Sequence, residues 1–255
     1  MLRYVFISLA LVFILLESAW AACDVRSAAH TTALVELYTS EGCSSCPPAD
    51  RYLSNLFAKD MGSAQAVPLA LHVDYWDDLG WVDPYANAQF TGRQRWLSRV
   101  ARAPVIYTPE FYAGGKEVRG WPANLRSVVR NINATPARAT IRMRGERTRS
   151  DTLSLSVQAT ASAANTGEIY ILLTEDGLTS RVARGENSGR VLQHDHVVRR
   201  MFGPEPLANG AATINADLPA LQGLDPARLR LVAFVQDGTT GEILQAVSAD
   251  RCFTN

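Results

Sequence analysis

GCSSCPP, residues 42–48, places two cysteines two residues apart and follows them with two prolines. The preceding residues 33–39 are β-prone, and the apolar residues from 43 to 58 recur at helical spacing. The sequence therefore predicts a strand that delivers the cysteine pair to the amino end of a helix. Proline fits a first helical turn, because the backbone N–H groups of that turn have no partner within the helix.

The segments that follow this helix alternate between strand and helix signals. Residues 66–75 are mostly apolar and predict a second strand, and residues 84–101 predict a second helix. A hairpin is predicted around 106–119 and a last helix from about 122 to 131. In this order the first two strands are expected to be parallel, joined by a right-handed crossover. With Cys-x-x-Cys at the start of the first helix, the order predicts an α/β thioredoxin-like domain over residues 23–135.

The second half of the chain shows a different pattern. Short runs alternate apolar with polar residues, turn signals separate them, and no helical period is evident. The runs lie at 140–144, 153–158, 168–174, 190–201, 229–236 and 242–248. Such runs are typical of antiparallel strands. We therefore predict an all-β, sandwich-like domain over residues 136–255.

Charge and the amino terminus indicate where the protein acts. Lys+Arg and Asp+Glu balance at 25 each, which gives no support for nucleic-acid binding. Arg3, the apolar run 4–16 and the small-x-small triplet Ala19-Trp20-Ala21 are typical of an export signal. We predict a signal peptide over residues 1–22, no membrane contact after its cleavage, and a periplasmic or secreted protein. An uncleaved anchor and a lipoprotein that begins at Cys23 are the alternatives.

The two cysteines outside the Cys-x-x-Cys motif lie at the ends of the mature chain. Disulfides persist outside the cytoplasm, and domain termini are often close in space. We therefore predict that Cys23 pairs with Cys252. Closing so long a loop stabilises a protein by roughly 5 kcal/mol in the loop-entropy model. Two unpaired thiols, or a lipid on Cys23, are the alternatives.

The position of the motif suggests redox chemistry. The amino end of a helix favours negative charge, so a thiolate at Cys43 is stabilised there, and the thiolate is the reactive form. Cys46, one turn further, is placed to resolve a mixed disulfide. An inert structural disulfide and metal ligation remain the alternatives. Glu36, seven residues before Cys43 on the first strand, is a candidate to shuttle a proton to Cys46, unless strand alternation points it at solvent.

Three further segments are candidates for a partner surface or a metal site. Residues 74–81 hold two tryptophans among acids and are expected at the same sheet edge as Cys43, where they bind a partner or cap the core. His194 and His196 share a predicted strand face and could bind a metal, although an ordinary polar face is the preferred interpretation. The turn at 185–189 is a candidate partner surface.

The chain contains the motifs VELYTSEGCSSCPPAD (35–50), LHVDYWDDLGWVDPY (71–85), YTPEFYAGG (107–115) and GENSGRVLQHDHVVR (185–199). They resemble a bacterial secreted family catalogued as a domain of unknown function in the thioredoxin-like superfamily, over nearly the whole mature chain. The resemblance implies exchange roles for Cys43 and Cys46. It also implies a cis peptide bond at Thr108–Pro109 that faces the cysteines and shapes a substrate groove; a trans turn proline is the alternative. Ser44-Ser45 departs from the Gly-Pro of thioredoxin, which leaves the redox direction open.

These observations lead to one expected function and two alternatives. We expect a thiol-disulfide oxidoreductase that uses Cys43 and Cys46 on the thiols or disulfides of a protein partner, without a cofactor. The first alternative is a copper(I)-binding protein in which His72 joins the two soft thiolates, although a packed core histidine is the simpler role for His72. The second is a non-catalytic binding module with a static disulfide.

Overall fold

The computed structural model describes residues 23–103, 105–147, 152–161, 167–218, 224–250 and 252–253. The predicted signal peptide, residues 1–22, lies outside them. Within these ranges no helix is long and apolar enough to cross a membrane. The first half contains, in chain order, β1 (Cys23–Arg26), β2 (Ala33–Thr39), α1 (Pro47–Lys59), β3 (Ala66–His72), α2 (Ala88–Val100), β4 (Glu110–Ala113), β5 (Lys116–Glu117) and α3 (Trp121–Asn133).

The second half is built from strands, as its alternating pattern predicts. They are β6 (Ala139–Arg147), β7 (Leu153–Ala161), β8 (Gly167–Glu175), β9 (Leu178–Arg181), β10 (Val191–His194), β11 (Val197–Pro206), β12 (Ala211–Leu218), β13 (Leu229–Asp237) and β14 (Ile243–Asp250). The run predicted as one strand at 190–201 is two strands, because the chain turns at His196, whose φ is 61°. The sequence pattern does not predict β9, or β12, which alternates in exposure but carries few large apolar side chains.

One mixed sheet of eight strands passes through both halves, in the order β14-β13-β8-β11-β3-β2-β4-β5. β2 and β3 are parallel, as predicted, with Leu37 opposite Ala70. On its other side β3 pairs in parallel with β11, where Val197 lies opposite Ala70. The predicted fold class, an α/β thioredoxin-like domain followed by a separate all-β sandwich-like domain, is therefore wrong. Strands of the second half extend the sheet of the first, and no local pattern marks a pairing between segments so far apart in the chain.

A smaller sheet covers one end of the large one. It has the order β1-β6-β7-β12, and its inward side chains share an aliphatic core with β8, β13 and β14. Met143 and Val157 contribute from the small sheet, and Leu231 from the large one. Cys252, after β14, is bonded to Cys23 on β1 with an Sγ–Sγ distance of 1.99 Å. The predicted pairing of the two chain ends is confirmed, and the bond ties the two sheets together.

The helices cover the two faces of the other end of the large sheet. Val35 and Leu37 of β2 share an apolar cluster with Leu53 of α1, and α3 packs on the same side. Tyr38, on the opposite face, shares a cluster with Phe90 of α2. Because strand side chains alternate between faces, this arrangement decides which residues of β2 and β3 lie on the side of α1 and the cysteine pair.

Candidate functional site

The Cys-x-x-Cys pair forms a disulfide in the turn between β2 and α1, with an Sγ–Sγ distance of 2.13 Å. Cys46 is the N-cap of α1, and its carbonyl accepts the N–H of Asp50 at 3.1 Å. Both cysteines are fully buried, whereas Ser44 and Ser45 between them are exposed. The pair therefore lies just beneath the surface at the amino end of the helix.

A buried asparagine from the second half of the chain fixes the turn that carries Cys43. Asn187 has no exposed surface, and its Nδ2 donates to the carbonyl of Glu41 at 2.8 Å and to that of Cys43 at 2.9 Å. Its Oδ1 accepts from Nη1 of Arg190 at 3.0 Å. All the polar atoms of this side chain are thus engaged, so the turn before α1 is held rigidly.

Residues 185–187 pack against the cysteine turn, and we call them the cover. The Glu186 side chain is exposed, and its Oε2 accepts the N–H of Ser44 at 3.0 Å. Gly185 has φ 76°, and a Cβ there would lie 3.2 Å from the Cβ of Trp81. Glycine alone allows both this backbone conformation and this approach at low cost. The turn 185–189, a predicted candidate for a partner surface, packs against the cysteine turn of its own chain.

A chain of buried polar groups lies beneath the cover. Oε1 of Glu41 is 3.0 Å from Nε2 of His194, and Oε2 accepts from Nε1 of Trp81 at 2.8 Å. The N–H of Glu41 donates to Oδ2 of Asp83 at 2.8 Å, and Nδ1 of His72 lies 2.7 Å from the same oxygen. The rings of His72 and His194 pack edge to face, with their centroids 4.9 Å apart. Residues from the cysteine turn, β3, the loop after β3 and β10 therefore form one network.

Pairing within this network decides the charges of His72 and Asp83. Burial on its own would lower the pKa of His72, but the Asp83 carboxylate outweighs it, so the pKa lies above its ordinary value. Burial would raise the pKa of Asp83, and the His72 ring outweighs it in turn, so that pKa lies below its ordinary value. Both directions favour the charged forms, a protonated His72 beside an ionised Asp83.

Asp50 reaches the network from α1. It lies four residues after Cys46, and residues at that spacing share a helix face. Its Oδ2 is 4.0 Å from Nδ1 of His194, while its Oδ1 and that histidine nitrogen have no hydrogen-bond partner within the described residues. Both side chains line a cavity of about 270 Å³ between α1 and β10. Burial raises the pKa of Asp50, which therefore keeps its proton to higher pH than an exposed aspartic acid.

The loop after β3 contacts both the cysteine turn and Thr108, the residue before Pro109. The Cβ of Trp76 lies 3.1 Å from the position of a Cβ on Gly42, and its Nε1 donates to Oγ1 of Thr108 at 2.8 Å. The Thr108–Pro109 peptide bond is cis, as the resemblance implies. Trp76 therefore bridges the two segments, and Trp81 of the same loop bonds to Glu41. Both tryptophans of residues 74–81 therefore contact the cysteine turn.

Glu36 does not join the cysteine pair. It lies on the face of β2 that meets α2, where its carboxylate accepts from Nε and Nη2 of Arg93 at 2.6 and 3.2 Å. The hydroxyl of Tyr38 donates to it at 3.2 Å. This geometry gives no support to the predicted proton transfer from Glu36 to Cys46. The carboxylates near the cysteine turn are those of Glu41, Asp50 and Glu186.

The two neighbouring histidines of the second half do not share a strand face. His194 ends β10 and faces Glu41, whereas His196 lies in the following turn with Nδ1 3.1 Å from Oδ1 of Asp176. Both are buried, so neither belongs to an exposed polar face. In the described part of the chain, no three His, Cys, Asp or Glu side chains are grouped to hold a metal ion. His72, the third ligand of the copper alternative, is engaged with Asp83.

Sequence reasoning missed most of the groups around the disulfide. A local signal exists for Asp50, since an acid four residues after Cys46 shares its helix face. Glu41 lies within the quoted motif, two residues before Cys43. No local signal exists for Asn187, because its contact with Cys43 joins residues 144 positions apart.

Comparison with known proteins gives one family match and several similar solved structures. The model of the family described as "Protein of unknown function (DUF1223)" matches residues 34–236. The crystal structure of protein AGR_C_4864 from Agrobacterium tumefaciens is similar, with a TM-score of 0.62 and 24% identity over 87% of this chain and 95% of that chain. HBP35 of Porphyromonas gingivalis gives a TM-score of 0.67 at 14% identity, over 88% of this chain and 76% of that one. These likenesses concern the fold alone. No match was found among the curated proteins.

Proposed function

The chain belongs to the family described as "Protein of unknown function (DUF1223)", and from the geometry of its site we propose that it is a thiol-disulfide oxidoreductase acting on cysteines of another protein. The observation that carries the proposal is the Cys43–Cys46 disulfide at the amino end of α1, with the buried acid Asp50 one turn along the same helix face. Burying ionisable groups is costly. A disulfide that only stabilised the fold would not require buried ionisable groups next to it.

The exchange takes place in two displacements. A partner thiolate attacks Sγ of Cys43, the Cys43–Cys46 bond breaks, and Cys46 leaves as a thiolate. A second thiolate of the partner then attacks the partner sulfur of the mixed disulfide and releases Cys43. The partner loses two electrons and gains a disulfide, while the cysteine pair gains both electrons. In the reverse direction Cys43 attacks a partner disulfide and Cys46 resolves the mixed disulfide.

Asp50 handles the proton that this exchange requires at Cys46. The leaving thiolate takes a proton from the Asp50 carboxyl, and in the reverse direction the carboxylate accepts it. Asp50 lines the cavity between α1 and β10. Nδ1 of His194, which has no hydrogen-bond partner within the described residues, lies 4.0 Å from its Oδ2. The raised pKa of Asp50 suits this role, because the group can hold a proton when Cys46 needs it.

An oxidising compartment fits this chemistry. The Cys23–Cys252 bond and the Cys43–Cys46 bond both require surroundings in which disulfides persist. This supports a periplasmic or secreted protein, exported by the predicted signal peptide at 1–22.

Exchange with a reduced, unfolded protein tests the proposal. The Cys43→Ala variant is expected to lose all exchange. When the unfolded protein instead carries a disulfide, Cys46→Ala is expected to accumulate a mixed disulfide that non-reducing gels detect, because Cys43 attacks one partner sulfur and the other leaves as a thiol. Ser63→Ala, at an exposed position in the loop between α1 and β3, serves as the matched control and should exchange at the wild-type rate. Exchange by Cys43→Ala at the wild-type rate, or no exchange by the wild type, would refute the proposal.

The burial of both cysteines favours a second candidate function, a binding module with a static bridge. Neither sulfur-bearing side chain is exposed, and Asn187 holds the turn that carries them. A static bridge predicts that excess dithiol leaves Cys43–Cys46 intact while the protein stays folded. The oxidoreductase predicts that the same treatment reduces it, and alkylation followed by mass spectrometry distinguishes the two outcomes.

A further inference from the structure

Glu186 contacts the redox centre but takes no part in the exchange steps. Its Oε2 accepts the N–H of Ser44, the residue bonded to Cys43, at 3.0 Å. The neighbours of Glu186 fix its position, because Asn187 is buried with all its polar atoms engaged and Gly185 packs on Trp81. The second half of the chain therefore places a carboxylate at the solvent side of the attacking cysteine.

Covalent geometry limits the distance between this carboxylate and the sulfur. The nitrogen of Ser44 is four bonds from Sγ of Cys43, so the two atoms lie at most about 5 Å apart. The Glu186 oxygen is then within about 8 Å of the sulfur. Hydrogen bonding from the Ser44 side chain and, to a smaller extent, from its backbone N–H lowers the pKa of Glu186, so the side chain is charged at neutral pH.

A fixed negative charge at this distance acts on the reduced form of the pair. It repels a thiolate and leaves a neutral thiol or a disulfide unaffected. It also occupies the Ser44 N–H, which lies at the amino end of α1 and would otherwise be free to stabilise negative charge. Both effects disfavour the Cys43 thiolate.

We propose that Glu186 sets the redox poise of the pair, because its carboxylate destabilises the Cys43 thiolate and so favours the disulfide over the dithiol. This inference deepens the proposed function, since it rests on Cys43 as the attacking thiol. Glu186 acts through the charge it holds beside Cys43 and is a positioning residue, not a catalytic one. The chain thereby carries in its second half the group that limits the oxidising strength of the first.

Other charged groups face the pair from the surrounding elements, and their arrangement singles out Glu186. Beneath the pair, Glu41 is paired with His194 of β10, and Asp50 approaches from α1. Beside the cover, Arg190 donates to Asn187. Among these groups Glu186 is the one that bonds to the backbone amide directly after Cys43. Its charge can be removed without opening the buried network.

The test compares Glu186→Gln and Glu186→Lys with the wild type. Two unit charges about 8 Å apart change an acid dissociation constant by about twofold in a water-like dielectric and about thirtyfold in that of a protein surface. We expect Glu186→Gln to make the Cys43 thiol more acidic within this range, measured by the pH dependence of iodoacetamide alkylation. The equilibrium with a glutathione buffer should shift toward the dithiol in the same sense, and Glu186→Lys should extend both shifts.

The matched control is Glu242→Gln, which removes an exposed carboxylate paired with Arg138. It should leave the Cys43 acidity and the equilibrium unchanged. In the wild type, high salt should also make Cys43 more acidic, because an exposed charge is screened; Glu186→Gln should lack this salt response. Glu186 variants that behave like Glu242→Gln, or a wild-type bridge that no reductant opens in the folded state, would overturn the inference. Because these readouts use small reagents, a failure to exchange with proteins would refute the proposed function and leave the inference standing.

Discussion

Replacing Asn187 by alanine is expected to destabilise the turn that presents Cys43. The substitution removes both donors of Nδ2, which bond to the carbonyls of Glu41 and Cys43 at 2.8 and 2.9 Å. It also removes the acceptor of Arg190. Since the site is fully buried, water cannot replace these partners without rearrangement of the turn.

The expected magnitude follows from the two carbonyls. A buried polar group left without a partner costs about 1–3 kcal/mol. The carbonyl of Cys43 retains the N–H of Cys46 at 3.2 Å, so its share lies at the lower end of that range. We therefore expect Asn187→Ala to lower the free energy of unfolding by about 2–4 kcal/mol.

Urea denaturation with all disulfides intact, followed by tryptophan fluorescence, measures this change. The matched control is Asn55→Ala on α1, where the exposed Nδ2 donates to the carbonyl of Arg51 at 2.8 Å. A surface substitution of this kind changes stability by about 0.5 kcal/mol or less. If Asn187→Ala destabilises the protein no more than Asn55→Ala does, the assignment of Asn187 as the anchor of the cysteine turn is wrong.

Three other substitutions test the fold and the buried groups. Cys252→Ser should lower the free energy of unfolding by about 2–5 kcal/mol, and an unchanged urea midpoint would contradict this. Glu36→Gln leaves Arg93 buried without its full partner and should cost about 3–5 kcal/mol; a shifted reduction potential would instead restore a redox role for Glu36. Because the pKa of His72 is raised, its contribution to stability is present below about pH 6.5 and is lost as the pH rises through the pKa of the folded state. Because the pKa of Asp83 is lowered, its contribution is present above about pH 3.9. The destabilisation by His72→Gln should therefore be larger at about pH 5.5 than at about pH 9, and an equal loss at both would exclude the charged pair.

The first half of the fold follows from local signals, and the joining of the two halves does not. Helical spacing after Cys43 and the β-prone runs before and after it predict β2, α1 and β3 because each pattern lies within one short segment. The parallel pairing of Val197 with Ala70 depends on how distant segments meet. Without this pairing, the strand pattern of the second half is that of a separate domain. The predicted fold class is wrong for that reason.

For the site as well, local sequence signals predict some features and not others. The position of the cysteine pair at a helix start, its disulfide and the Cys23–Cys252 bond follow from spacing and redox chemistry. The choice of Glu36 as proton carrier depended on strand alternation, which gives two faces but does not say which one α1 covers. Asn187 and His194 reach the pair from the second half. Their approach requires the shared sheet that the sequence pattern does not reveal.

The reduction potential of the Cys43–Cys46 pair in the purified mature protein tests the proposed function most directly. The potential is obtained by equilibration in glutathione buffers, alkylation of free thiols, and mass spectrometry that also confirms the Cys23–Cys252 bond. A thiol-disulfide oxidoreductase predicts a reversible couple between about −270 and −120 mV, the range of known exchange enzymes. A potential below about −300 mV, typical of structural disulfides, would contradict it and identify the pair as a static bridge.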